Sequence, residues 1–208
     1  IKEKDKKLSA ISNPLTYNFD YDFNDIDKKK KEVLFVGRIF EYHKRLSYIL
    51  KIWSKIEKDH DFDEWTLKIV GDGPDMSLIK ELSNRLQIRR ITFEGFKNPR
   101  KYYNEASIFV MTSAFEGFGM TLVEAQQYAT VPIVMDTYLS LHDIIINENN
   151  GVIIPDNDIN MYVSKLKLLM SDDKYRLKLA YNGLSACKKF NVKNITDKWE
   201  LLLNNLIK

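Results

Sequence analysis

Residues 33–71 read VLFVGRIFEYHKRLSYILKIWSKIEKDHDFDEWTLKIVG, and their pattern decides the fold. The stretch opens on the apolar run VLFVG (33–37), passes through the amphipathic run KRLSYILKIWSKIEK (44–58), and closes on a second apolar run, TLKIVG (66–71). A short continuous apolar run reads as a strand buried on both faces, while apolar residues recurring every three to four positions read as a helix. Further along, MSLIKELSNRL (76–86), ITFEG (91–95), SIFVMTS (107–113), MTLVEAQQYA (120–129), VPIVM (131–135) and GVIIP (151–155) keep the alternation going. Helical periods then return around 158–170, 173–186 and 194–206. Such an order predicts an α/β fold: a Rossmann-like parallel sheet with helices on both faces.

Bulk properties narrow the function classes. The 208 residues are 44% hydrophobic and 12% aromatic, enough for one globular core. Lys and Arg number 32 against 29 Asp and Glu, so the net charge of +3 leaves no basic field of the kind nucleic acid requires. Residues 1–31 are polar and non-periodic apart from ISNPLTYNF (11–19), where Asn13-Pro14 marks a turn, and they read as a linker. Within it Lys28–Lys31 follow Asp20, Asp22, Asp25 and Asp27 and read as a solvated run. The expected division is a linker at 1–31, a ligand-binding domain at 32–190 and a C-terminal helix at 191–208. Cys187 is the single cysteine, which fits a reduced, cytoplasmic setting and an inert buried thiol. No apolar run approaches the roughly 18 residues a membrane span needs, so any membrane contact is expected to be peripheral.

In a parallel sheet ligands bind where strands hand over to helices, at the carboxyl edge. The first such loop carries Arg38 and Lys44, read either as a clamp for an anion or as ordinary surface charges. The second, GDGPD (71–75), reads as a tight turn with Asp75 as N-cap of the following helix. Its glycines are not spaced as a dinucleotide fingerprint or a P-loop. The third, SAFEGFGMTLVEA (113–125), is the most informative. Gly117 and Gly119 allow close backbone approach, and the N–H groups of Met120, Thr121 and Leu122 open a helix whose N-terminus favours phosphate. Glu116 and Glu124 flank that terminus. Asp-x-Asp pairs occur at 20/22, 25/27, 61/63 and 156/158, but in polar connections rather than at the end of an apolar strand, so neither metal nor cofactor is expected. His43, His60 and His142 lack metal-ligand spacing and form no nucleophilic triad. His142 reads as structural, although it could approach the ligand edge.

The joint order of SNPL (12–15), VLFVGRIFEYHKR, IVGDGP, ITFEGF and EGFGMTLVEA, with seven residues between Glu116 and Glu124, resembles the C-terminal, donor-binding domain of the family-4, or group 1, retaining glycosyltransferases of GT-B fold. The resemblance covers about residues 9–208. It implies that Arg38 and Lys44, with the backbone at Thr121 and Leu122, hold a donor diphosphate. It assigns the transferred sugar to Glu116, as the catalytic-site carboxylate, and to the main chain of Gly117, Phe118 and Gly119. Glu124 would take the ribose hydroxyls, and Phe96 and Lys97 would border the base. The implied donor is a nucleotide diphosphate sugar, UDP-hexose or UDP-N-acetylhexosamine first, with GDP and ADP open. The implied acceptor is a glycan or lipid-linked molecule of bacterial surface polysaccharide synthesis, handled on the inner face of the plasma membrane. Family members carry an N-terminal acceptor domain that this sequence does not contain, and the last helix, with Trp199, resembles the segment that packs toward that half. Thr130 stands where family members often have a small residue, and no function attaches to the difference. Two other readings stay open, a non-catalytic Rossmann-type nucleotide-binding module and a same-fold nucleotide-sugar epimerase.

Overall fold

The computed structural model describes residues 9–18, 21 and 23–207. Its strands are β1 (Lys30–Val36), β2 (Thr66–Val70), β3 (Ile91–Gly95), β4 (Ala106–Met111), β5 (Val131–Asp136) and β6 (Val152–Pro155). They form one parallel sheet in the order β3-β2-β1-β4-β5-β6. The continuous apolar runs are explained by burial: Val33, Leu34 and Phe35 of β1 and Ile108, Phe109 and Val110 of β4 are all inaccessible, covered above and below. Val33 lies in register with Leu67 on one side and Ile108 on the other.

The connecting helices are α1 (Glu41–Lys44), α2 (Leu46–Ile56), α3 (Met76–Arg85), α4 (Arg100–Glu105), α5 (Met120–Gln127), α6 (Leu141–Ile144), α7 (Ile159–Ser171), α8 (Asp173–Ala186) and α9 (Val192–Ile207). In α2 the buried residues are Leu46, Ile49, Leu50, Ile52, Trp53 and Ile56, the stripe its period announced. It packs against α3 and α7, while α5 packs against α8. Right-handed crossovers that run in opposite directions from the sheet centre place α2 and α5 on opposite faces. The sequence pattern does not resolve α1, α4 and α6, whose four to six residues are too few to display a period.

The segment ahead of β1 departs from a solvated run. Leu15, Tyr21 and Ile26 are buried, and Gln127 of α5 donates to the carbonyls of Tyr17 (2.6 Å) and Asn18 (2.9 Å). Lys29, expected in water, donates instead to the carbonyls of Tyr103 (2.8 Å), Asn104 (3.3 Å) and Ala106 (3.0 Å) and to Thr130 Oγ1 (3.0 Å). The reason lies in α4, which runs into β4 without a loop, so its last carbonyls need donors from elsewhere. Lys29 and the Thr130 hydroxyl, which donates to Tyr103 O at 2.6 Å, supply them, and Thr130 thereby acquires a structural role. Burial pushes the Lys29 ammonium down to about 7, and the carbonyls oppose this by accepting from the protonated form. Lys28, Lys30 and Lys31 do behave as surface charges, paired with Asp25, Glu105 and Glu64.

Cys187 is buried, and burial pushes its thiol up to about 12, as an inert thiol requires. Residues 1–8, Asp20 and Asp22 lie outside the described residues. Replacing Lys29 by Met keeps the apolar stem but leaves the carbonyls at the end of α4 with Thr130 as their remaining side-chain donor. It should lower stability by about 1–3 kcal/mol, read from the urea midpoint at constant m-value. A midpoint equal to wild type would mean that water caps α4 instead.

Candidate functional site

The strand order reverses between β1 and β4, so the loops that follow these strands leave the carboxyl edge toward opposite faces and open a crevice between them. Every loop singled out in the sequence borders that edge. The β1–α1 loop is held by the β2–α3 loop: Gly37 N donates to Val70 O (3.0 Å), Ile39 N to Asp72 O (2.9 Å) and Asp75 N to Ile39 O (3.3 Å). Gly71, at φ +142°, passes so close that a Cβ there would lie 1.8 Å from Gly37 O. That contact is why a glycine ends β2. Asp75 differs from expectation, since its carboxylate caps no N–H of α3. It accepts from Glu41 N at 2.7 Å and so caps α1, the turn that delivers Lys44.

Arg38 is exposed, forms no ion pair among the described residues, and rests over the Phe40 ring at 5.8 Å. It lines a mainly apolar cavity of about 440 Å³ together with Val36, Gly37, Gly71, Phe96 and Lys97. Arg38 and the two residues expected to border a base therefore share one opening. The Lys97 ammonium pairs with Glu94 (2.6 Å), and that contact, helped by the Tyr102 hydroxyl, holds the Glu94 carboxyl below its usual range.

Across the crevice Lys44 Nζ lies 2.5 Å from Glu116 Oε1, with side chains 20% and 13% exposed, and Ser113 Oγ donates to the same oxygen at 2.7 Å. Ala114 N donates to His43 O (2.7 Å) and ties the two loops together. The β5–α6 loop supplies a support that the sequence reading missed. Thr137 Oγ1 donates to Ser113 O (2.7 Å), and Ser140 Oγ donates to the carbonyls of Gly117 and Phe118 (both 3.3 Å). Tyr138 is raised in pKa by burial and then by the Glu116 charge, and its hydroxyl lies where a Cβ on Gly119, at φ +95°, would come within 2.7 Å. The available signal was the polar run TYLS directly after an apolar strand.

Gly119 precedes α5, whose first N–H groups, at Met120 and Thr121, have no partner within the helix. Leu122 was expected to offer a third, but its N–H donates to Gly119 O at 2.9 Å. Phe118 turns its ring onto Phe190 (5.6 Å). Glu124 stands apart from Glu116. It is 8% exposed, and its two oxygens accept from Thr16 Oγ1 (2.7 Å) and from the Tyr103 hydroxyl (2.9 Å). Burial, then the Glu124 charge, raises the Tyr103 pKa, so the phenol stays a donor.

Several of the remaining acidic and histidine residues have their own partners. Asp25 pairs with Lys28, and Asp63 with His60 and Arg90. Asp156 follows β6 directly and thus lies at the ligand edge, contrary to expectation, where it pairs with Arg45 (2.7 Å), while Asp158 caps α7 through Met161 N (2.8 Å). His142 pairs with Asp136 at 2.9 Å. Among the described residues no three His, Cys, Asp or Glu side chains converge as metal ligands, and no helix is long and apolar enough to cross a membrane. Adding a Cβ at Gly71 should cost more than about 1 kcal/mol and displace Arg38. Gly71→Ala is therefore expected to lower both the urea midpoint and the affinity for any anion held by Arg38, and an unchanged midpoint would contradict the close packing.

Fold and crevice define a Rossmann-like α/β domain with its ligand edge at the topological switch point. The chain belongs to the group 1 glycosyl transferases, whose family model matches residues 18–185. A Haemophilus influenzae protein described as an uncharacterized glycosyltransferase is 26% identical over 205 residues, covering 97% of this chain and 56% of its own length. A Campylobacter jejuni α-1,4-N-acetyl-D-galactosaminyltransferase, whose name specifies an undecaprenol-linked substrate, is 25% identical, covering 95% and 55%. The chain thus spans about half the length of these relatives. Among solved structures, Staphylococcus aureus TarM in complex with fondaparinux, α-GlcNAc-glycerol and UDP superposes with a TM-score of 0.83 at 22% identity, covering 94% of this chain and 39% of TarM.

Proposed function

We propose that this chain is the donor-binding half of a retaining glycosyltransferase, taking a UDP-hexose or UDP-N-acetylhexosamine and serving a glycan or lipid-linked acceptor of a bacterial surface polysaccharide. The observation that carries the reading is the convergence at the switch point. Arg38 has no ion-pair partner among the described residues and lies at the mouth of an apolar cavity, and the adjoining wall holds Lys44, Glu116 and the start of α5. Support for the donor comes from the UDP in the TarM complex, and for the acceptor from the undecaprenol-linked substrate in the Campylobacter name. The greater length of the relatives supports an acceptor domain outside this sequence.

The base enters the cavity beside Phe96 and Lys97, the diphosphate meets Arg38, Lys44 and the N–H groups of Met120 and Thr121, and the sugar lies along 117–119. Two cations and a helix N-terminus offset the diphosphate charge, so the protein needs no metal for this step. Lys44 is engaged with Glu116. Diphosphate must draw the ammonium away, which frees the Glu116 carboxylate for a sugar hydroxyl. Glu124 reaches the ribose once Thr16, which covers one of its oxygens, gives way, while Tyr103 holds the other.

Titration calorimetry with UDP tests the assignment. Arg38→Ala and Lys44→Ala should each weaken binding by about 1.5–3 kcal/mol, the worth of a charge-assisted hydrogen bond. Glu116→Gln should leave UDP affinity equal or improved, because Lys44 loses its competing partner. Equal weakening by Glu116→Gln and Lys44→Ala would show that the pair acts as one structural unit and does not divide between phosphate and sugar.

Metal dependence is a separate test. UDP affinity should be the same in EDTA and in Mg²⁺. Restoration of binding by Mg²⁺ alone would bring the carboxylates at the ligand edge, Asp136 and Asp156, into the site as metal ligands.

A further inference from the structure

Four rings gather at the mouth of the crevice from two different loops. His43 lies 4.9 Å from Phe40, 5.4 Å from Tyr42 and 6.1 Å from Phe115, and Phe40 lies 6.2 Å from Tyr42. The hydrogen bond from Ala114 N to His43 O fixes the β4–α5 loop against α1 and holds Phe115 in the group. Tyr42 is 79% exposed and Phe115 64% exposed, so neither ring is there to fill the core. Among the described residues the Tyr42 hydroxyl and the His43 imidazole have no hydrogen-bond partner. The chain neighbours of His43 and Phe115 are Lys44 and Glu116, the pair at the centre of the crevice.

We infer that Phe40, Tyr42, His43 and Phe115 form a stacking surface for a pyranose ring of the glycan acceptor. The inference rests on the transferase reading of the same crevice and adds a contact that this half makes to an acceptor otherwise held by the other domain. Aromatic faces carry negative quadrupole charge, and a pyranose presents a face of weakly positive C–H bonds with hydroxyls around its edge. Rings for the face and free polar groups for the edge match that chemistry. An acyl chain would call for aliphatic side chains, and the cluster has none. A ring held here would direct its hydroxyl edge toward Glu116 and the sugar loop, whereas the base is accommodated beyond Arg38, in the separate cavity lined by Phe96. The interplanar angles of 45–65° make the surface a shallow cup, suited to one ring and its substituents.

Saturation-transfer NMR on the protein with UDP bound tests this, using lactose, N,N′-diacetylchitobiose and methyl β-D-glucopyranoside as probes. Transfer to the ring C–H protons of at least one probe is expected. It should fall roughly ten-fold in the Tyr42→Ala/Phe115→Ala double variant, whose exposed substitutions leave the core intact. UDP affinity should stay within about two-fold of wild type in that variant, since neither residue lies in the nucleotide site. UDP bound normally with no transfer to any of the three sugars, or equal transfer in the double variant, would overturn the inference and leave the rings to a protein surface. Failure of UDP to bind the wild type would instead remove the transferase reading itself.

Discussion

The approach of Gly71 to the carbonyl of Gly37 fixes where the β1–α1 loop runs, and the rest of the crevice is built outward from it. With that contact made, Ile39 can hydrogen-bond on both sides to the β2–α3 loop, and Asp75 can reach Glu41 N and start α1. One turn of α1 then presents Lys44 to Glu116 and the His43 carbonyl to Ala114. The later steps are hydrogen bonds between loops that are far apart in sequence but adjacent at the switch point. The site is therefore positioned by backbone packing, and its charged side chains are carried to their places by it.

A second network lies behind the first and meets it through α5. Tyr103 accepts at its carbonyl from Lys29 and Thr130, and donates with its hydroxyl to Glu124. The C-terminal cap of α4 and the carboxylate in α5 are thus joined by one residue. Thr16 completes the coordination of Glu124 from the segment ahead of β1. Buried polar networks of this kind define one arrangement when fully satisfied. Moving Thr16 would expose one Glu124 oxygen while Tyr103 keeps the other in place.

The sheet and the longer helices were legible because burial on two faces and on one stripe leaves different periods in the sequence. The placement of Arg38, Lys44 and Glu116 at the carboxyl edge was legible, since each follows an apolar strand. Partners were not. Nothing local marks Lys29 as buried, because its acceptors come from a helix more than seventy residues away and the neighbouring lysines are surface charges. Asp75 has the spacing of an N-cap for α3, yet tertiary contact assigns its carboxylate to α1. Glu124 looked open as a helix residue at a phosphate end, and only the fold brings Thr16 and Tyr103 to its oxygens. Thr137, Tyr138 and Ser140 escaped notice because their contacts are to the main chain of another loop, which no residue pattern encodes.

The placing of a carboxylate beside an anion site has a physical rationale in the proposed reaction. Lys44 and Glu116 neutralise one another, and their low exposure makes an unpaired state of either one costly. As a glycosidic bond to diphosphate lengthens, negative charge grows on the departing phosphate and positive charge on the sugar ring. In the proposed reading Lys44 stands with the first and Glu116, which opens the glycine loop, with the second. Separation of this pair then follows the separation of charge in the substrate, and each side chain exchanges its protein partner for one whose charge increases toward the transition state. Stabilisation that grows along the reaction coordinate lowers the barrier, whereas equal attraction for ground and transition states would only tighten binding. A crevice with two cations and no carboxylate would hold the diphosphate more firmly and gain less from the charge that develops on the sugar.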